Sequence, residues 1–235
     1  MIGTTLFLVP HQDDEVLSMG NSIIEHVKRD DTHVLLFTDG SDSYVKKILE
    51  DNGKCSYHIG IHSHDITKKE FTNARDIEFK ESCKSLGLKE ENIHIEENRL
   101  PDGQLTKAKA KDIITDYLEK YPGAKIKTTT PYGNGYRHKD HKALGQAALE
   151  LYNDGIIKDL RFYIEPYEYE NFKEENQEIK TWNVLNTDEM KLHNAMNAYK
   201  VWKPYSDLRY AIGYHSAGKY FDFVEKDKKE YVHAP

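Results

Sequence analysis

The chain has 235 residues, a formal net charge of −7 and a mean hydropathy of −0.78. That length suits one α/β domain with a modest C-terminal extension. No basic stretch is long enough to neutralise a nucleic-acid backbone, and no apolar run approaches the ~20 residues that span a bilayer. The two cysteines, Cys55 and Cys83, have no metal-ligand spacing and form no disulfide framework, which points to a reducing, cytoplasmic setting.

Residues 4–9 (Thr-Thr-Leu-Phe-Leu-Val) are an apolar run that reads as a buried strand. It runs directly into Pro10-His11-Gln12-Asp13-Asp14-Glu15 and is too short for a secretion leader. Residues 15–29 read as one helix, with Val16, Met19, Ile23, Ile24 and Val27 at helical spacing and Asp13 or Asp14 available as N-cap. A second strand, His33 to Thr38, ends in Asp39-Gly40. Residues 41–67 read as an irregular loop or lid, in which His58, His62 and His64 are solvated rather than a second metal site.

A helix is predicted from about Thr72 to Leu86, with Cys83 on its apolar face and Gly87 as its stop. A short strand, Asn92 to Glu96, precedes the turn Leu100-Pro101-Asp102-Gly103. Then come a helix over 107–121, a strand over 125–130, a helix from about His141 to Tyr152 and a fifth strand, Leu160 to Glu165. This alternation predicts a Rossmann-like, doubly wound parallel sheet, for which the order 3-2-1-4-5 is taken. Residues 1–165 form its core. Residues 166–235 read as an embellishment of the same single domain, with a helix over 187–201, extra strands at the sheet edge and aromatic residues mostly engaged in packing.

In that order the first and fourth strands are neighbours whose connections leave in opposite directions, the switch point where open α/β sheets bind ligands. Two polar clusters follow those strands: His11-Gln12-Asp13-Asp14 and Tyr136-Arg137-His138-Lys139-Asp140-His141. His11, Asp14 and His141 supply the three protein ligands of a hydrolytic zinc site, with a fourth place for water. Asp13 is then placed as general base. His138, beside Asp140, can stabilise a tetrahedral intermediate or protonate a departing amine, and Tyr136 offers a phenol to an oxyanion. Taken singly, the aspartates could be helix caps and the histidines surface residues. Their joint placement favours chemistry. No dinucleotide fingerprint, phosphate loop or nucleophile elbow appears.

These motifs resemble those of the PIG-L (LmbE-like) family of zinc-dependent N-acetylglucosaminyl deacetylases. The resemblance covers about residues 4–165 and extends to Thr38-Asp39-Gly40, Arg75-Asp76-Ile77-Glu78 and Leu100-Pro101-Asp102-Gly103. It departs at Gln12, where proline is usual. It implies one Zn²⁺ per chain on His11, Asp14 and His141, Asp13 as base, and His138 as the residue assisting the intermediate, oriented by Asp140. It also implies Tyr136 on the oxyanion, and Arg75 and Asp102 on sugar hydroxyls. Fe²⁺ suits the same ligands. The expected partner is a small amino-sugar substrate, with no nucleic acid and no membrane. A thiol-sugar or non-sugar amidase and a non-catalytic sugar-binding module are the alternatives.

Overall fold

The structure, a computed structural model, describes residues 3–50, 53–55, 57, 60–133 and 138–235. β1 (Thr4–Val9) leads to α1 (Asp14–Leu17), α2 (Gly20–His26), β2 (Asp31–Thr38) and α3 (Val45–Glu50), then to a hairpin of β3 (Gly53–Cys55) and β4 (Gly60–His62). Next come α4 (Lys68–Leu86), β5 (Ile93–Leu100), α5 (Lys107–Lys120), β6 (Lys125–Thr129), α6 (Lys139–Asn153) and β7 (Leu160–Ile164). The remainder holds α7 (Tyr169–Glu175), β8 (Thr181–Leu185), α8 (Glu189–Ala198), β9 (Trp202–Lys203), β10 (Arg209–Tyr210), α9 (Ile212–Asp227) and β11 (Lys229–His233).

The main sheet runs β5-β2-β1-β6-β7-β11-β8. Its first five strands are parallel, in the order expected from the sequence. β11 and β8 then continue it antiparallel from the C-terminal region. Alternate residues of β1 feed opposite cores, as the two-residue period of a strand requires. Phe7 and Val9 pack with Ile23, Phe79, Leu192 and Phe221 on one face, and Leu6 and Leu8 with Ile114, Leu144 and Leu151 on the other. No described helix is long and apolar enough to cross a membrane.

Two local expectations need correction. Residues 15–29 are two short helices rather than one, because Ser18 and Met19 leave helical backbone geometry. A continuous helix would commit the N–H groups of Asn21 and Ser22 to its own carbonyls. Here both donate to the carboxylate of Glu230, which also takes the Ser22 hydroxyl at 2.6 Å. Carboxyl oxygens at a helix start satisfy orphan donors, although burial pushes the Glu230 carboxyl up to about 8.

Residues 41–67 are more regular than a loop, since they contain α3 and the β3–β4 hairpin. His62 is buried, its ring 4.5 Å from that of Trp202, and not a solvated residue; His58 lies outside the described residues. α4 also starts earlier than the apolar spacing indicates. Thr67 and Glu70 form a reciprocal capping box that fixes its first turn.

Candidate active site

β1 and β6 lie side by side, so the turns that follow them meet. The turn after β1 is pinned to β2, because the backbone N–H and hydroxyl of Thr38 both donate to the Pro10 carbonyl, at 3.1 and 2.7 Å. Asp13 takes φ 105° and ψ −26°, unusual for a residue with a side chain, and its carbonyl starts α1. Glu15 braces it from below: one carboxylate oxygen accepts the Asp13 N–H at 3.1 Å and the other the Tyr199 hydroxyl at 2.7 Å.

On the β6 side, α6 begins at His138, whose Nδ1 accepts the Asp140 N–H. Gly145 lets this helix press onto the strand end. A Cβ there would stand 2.6 Å from the Thr129 carbonyl and 2.7 Å from the Pro131 nitrogen.

These turns deliver His11, Asp14 and His141 to one point. His11 Nδ1 and His141 Nε2 are 3.1 Å apart, and Asp14 Oδ2 lies 3.3 and 3.2 Å from them. With ligand distances of about 2.0–2.1 Å, the edges of a tetrahedral zinc site are about 3.3–3.4 Å, so the triangle has the right size. The outer ring atoms fix which nitrogens face inward. His11 Nε2 is 3.0 Å from Asp140 Oδ2 and 3.3 Å from Asp102 Oδ1, and His141 Nδ1 is 2.6 Å from Glu165 Oε1. Each outer nitrogen faces a carboxylate, which turns the other nitrogen of each ring toward Asp14.

Three such acceptors call for positive charge between them. Protons answer that demand in the free chain. Burial opposes charge on His11, but its bonds to Asp102, Asp14 and Asp140 hold it well above its usual value. His141 is raised to about 9, burial again being overridden by Asp14 and Glu165. Burial would raise Asp14, yet both histidines hold it well below the usual carboxylate range. The residues therefore fit a divalent cation.

Around this triangle, Asp13, Arg75, Asp102, His138 and Glu165 line a cavity of about 280 Å³ together with Leu17, Tyr167 and Tyr220. Burial, and then the charge of Asp14, push the Asp13 carboxyl up to about 8 against the pull of Arg75. The Arg75 guanidinium is 3.9 Å from Asp13 and donates to the carbonyls of Gln12 and Gly40. Gly40 has φ 65°, and a Cβ on it would stand within 3 Å of both Gln12 and Arg75. Gln12, the departure from the family motif, bonds the Asp39 carbonyl and Asp76 Oδ1.

His138 Nε2 is 3.0 Å from Asp102 Oδ1, while the Asp140 carboxylate sits against His11 and the backbone N–H groups of Gly103 and Leu105. The structure thus brings together every site residue expected from the sequence except Tyr136, which lies outside the described residues. Sequence reading missed Glu165, Glu15, Tyr167 and Tyr220. Glu165 had a signal, as it ends the fifth predicted strand at the ligand-binding edge of the sheet.

The doubly wound α/β fold thus carries a His₂-Asp triangle, a candidate cation site, at its switch point. Residues 6–152 match the PIG-L family, described as GlcNAc-PI de-N-acetylase, and the chain belongs to that family. Several solved structures share the fold. The A40926 pseudoaglycone deacetylase superposes with a TM-score of 0.64 at 18% identity, over 97% of this chain and 95% of its own. The N,N'-diacetylchitobiose deacetylase from Pyrococcus horikoshii does so with 0.56 at 18%, over 92% and 79%. The 4-carboxy-2-hydroxymuconate hydratase from Pseudomonas putida KT2440 does so with 0.57 at 14%, over 99% and 95%. No curated protein sequence matches the chain.

Proposed function

We propose that this chain is a zinc-dependent hydrolase that removes an N-acetyl group from an N-acetylglucosamine-type sugar or sugar conjugate, working in the cytoplasm. Family membership supports the reaction class. The shared fold does not select it, because a hydratase also has that fold. The observation that carries the reading is the triangle of His11 Nδ1, Asp14 Oδ2 and His141 Nε2 with its outer nitrogens held by Asp140 and Glu165.

A cation bound there supplies a Lewis acid and a water acidified towards a pKa of ~7. Asp13 accepts the proton of the attacking water and is the general base. Its backbone, held by Glu15, aims the carboxylate into the cavity, and Arg75 keeps it from swinging away. His138 lines the same cavity, and because its Nδ1 accepts the Asp140 N–H its one proton is on Nε2, which turns from Asp102 to the oxygen that gains charge as the acetyl carbon becomes tetrahedral. Asp102 holds its ring and, with Arg75, meets the sugar hydroxyls. Asp140 fixes the His11 ring.

The test is amine release from a panel of N-acyl amino sugars by the zinc-loaded chain. N-acetylglucosamine conjugates should be hydrolysed, chelation should abolish turnover, and Asp13→Asn should cut it about 10²–10⁴-fold. Release from none of the panel by a chain that holds zinc would overturn the reading.

A further inference from the structure

A second set of metal-binding side chains meets on the β3–β4 hairpin, outside the site described above. Cys55, His62 and His215 each present one donor atom, all within 4.8 Å of one another. Cys55 Sγ is 3.0 Å from His215 Nε2. His215 Nδ1 is 2.7 Å from the Ala211 carbonyl, which can only accept, so the proton sits on Nδ1 and Nε2 turns a lone pair toward the sulfur. His62 is buried between the rings of Trp202, at 4.5 Å, and His215, at 5.6 Å and nearly perpendicular.

We propose that Cys55, His62 and His215 form a second cation site, for zinc or a similar thiolate-seeking divalent ion, that ties the β3–β4 hairpin to α9. One thiolate and two imidazoles are the donor set such ions select over magnesium or calcium, leaving a fourth place for water. Binding releases the thiol proton to solvent. The hairpin has a reason to need the tie. Its strands are three residues each and form a separate two-stranded sheet, and an isolated pair of strands is marginal on its own.

The tie also reaches the first site. His215 is followed by Ser216 and Ala217, which line the catalytic cavity, and Ala217 breaks the α9 helix at φ −127°. A cation on His215 therefore fixes the part of α9 that walls the substrate.

Cobalt titration of the reduced full-length chain tests this. The His11–Asp14–His141 site contains no sulfur, and Cys83 is fully buried on α4, so a sulfur-to-cobalt charge-transfer band can arise only at Cys55. The expected result is about two cobalt ions per chain, one of them carrying that band. Cys55→Ser and His215→Gln should each lose the band and about one cobalt while the other ion stays bound. Saturation at about one cobalt with no charge-transfer band, with Cys55 still reacting as a free thiol, would overturn the proposal. The wild-type titration decides the matter even if a variant fails to fold, and its failure would leave the deacetylase reading intact.

Discussion

Asp13 shows how the site is bought at the level of single residues. Its φ of 105° costs about 1–3 kcal/mol for a residue with a side chain, and its carboxylate is buried beside Asp14. If that strain serves to aim the base, Asp13→Gly should melt at or above the wild-type temperature in the metal-free chain while losing amide hydrolysis. Asp13→Asn should keep its metal and lose about 10²–10⁴-fold in kcat. Calorimetry beside single-substrate kinetics checks both; an active Asp13→Asn would remove Asp13 from the role of base. The residues of this motif were legible because five polar residues, His11 to Glu15, follow one apolar strand with only Pro10 between. Glu165 was marked only by its place at the end of the fifth predicted strand; its pairing with His141, 24 positions earlier, was not legible.

Among the elements, α6 depends most on a single close approach. Gly145 sits where any Cβ would strike the backbone of Thr129 and Pro131, and overpacking of that kind costs about 1–3 kcal/mol. Gly145→Ala should push the start of α6 off β6 and carry His141 away from His11 and Asp14. Isothermal titration should then show weaker zinc binding by tenfold or more, whereas a variant binding zinc as wild type does would mean that the contact does not position the ligand.

Helix and strand types were readable from their periods, but the break at Ser18 and Met19 was not. Its cause is Glu230, more than 200 residues away, which takes the N–H groups that local propensity assigns to a continuous helix. The early start of α4 was readable in principle from Thr67 and Glu70, but their capping box precedes the first apolar residue of the helix pattern.

At the scale of the molecule, alternation gave the parallel sheet, and the order 3-2-1-4-5 assumed for it gave the meeting of the two motifs. The C-terminal region gave little, because its antiparallel strands and packed aromatics follow no single period. Yet it supplies part of the cavity wall: Tyr220 of α9 stacks on Tyr167 with ring centroids 3.6 Å apart and lines the pocket. A flat aromatic pair suits the apolar face of a sugar ring. Tyr220→Ala should therefore raise KM several-fold with little change in kcat, and an unchanged KM would place the sugar elsewhere.

Stability should also depend on pH at the opposite end of the sheet. Burial, then the neighbouring His33 and Lys120, push His94 down to about 4. The unfolded chain takes up a proton near the ordinary ~6.5, and the folded chain takes it up only near 4. Stability from this residue is thus complete above that ordinary value and is lost as pH falls towards 4. The melting temperature should fall between pH 7 and pH 5, with a shallower fall in His94→Gln; equal slopes would contradict this.

The central claim is a cation held by His11, Asp14 and His141, and anomalous scattering from zinc-loaded crystals addresses it most directly. The account predicts a peak about 2.0–2.2 Å from His11 Nδ1, Asp14 Oδ2 and His141 Nε2. Zinc bound elsewhere, with that triangle closed by hydrogen bonds alone, would contradict it.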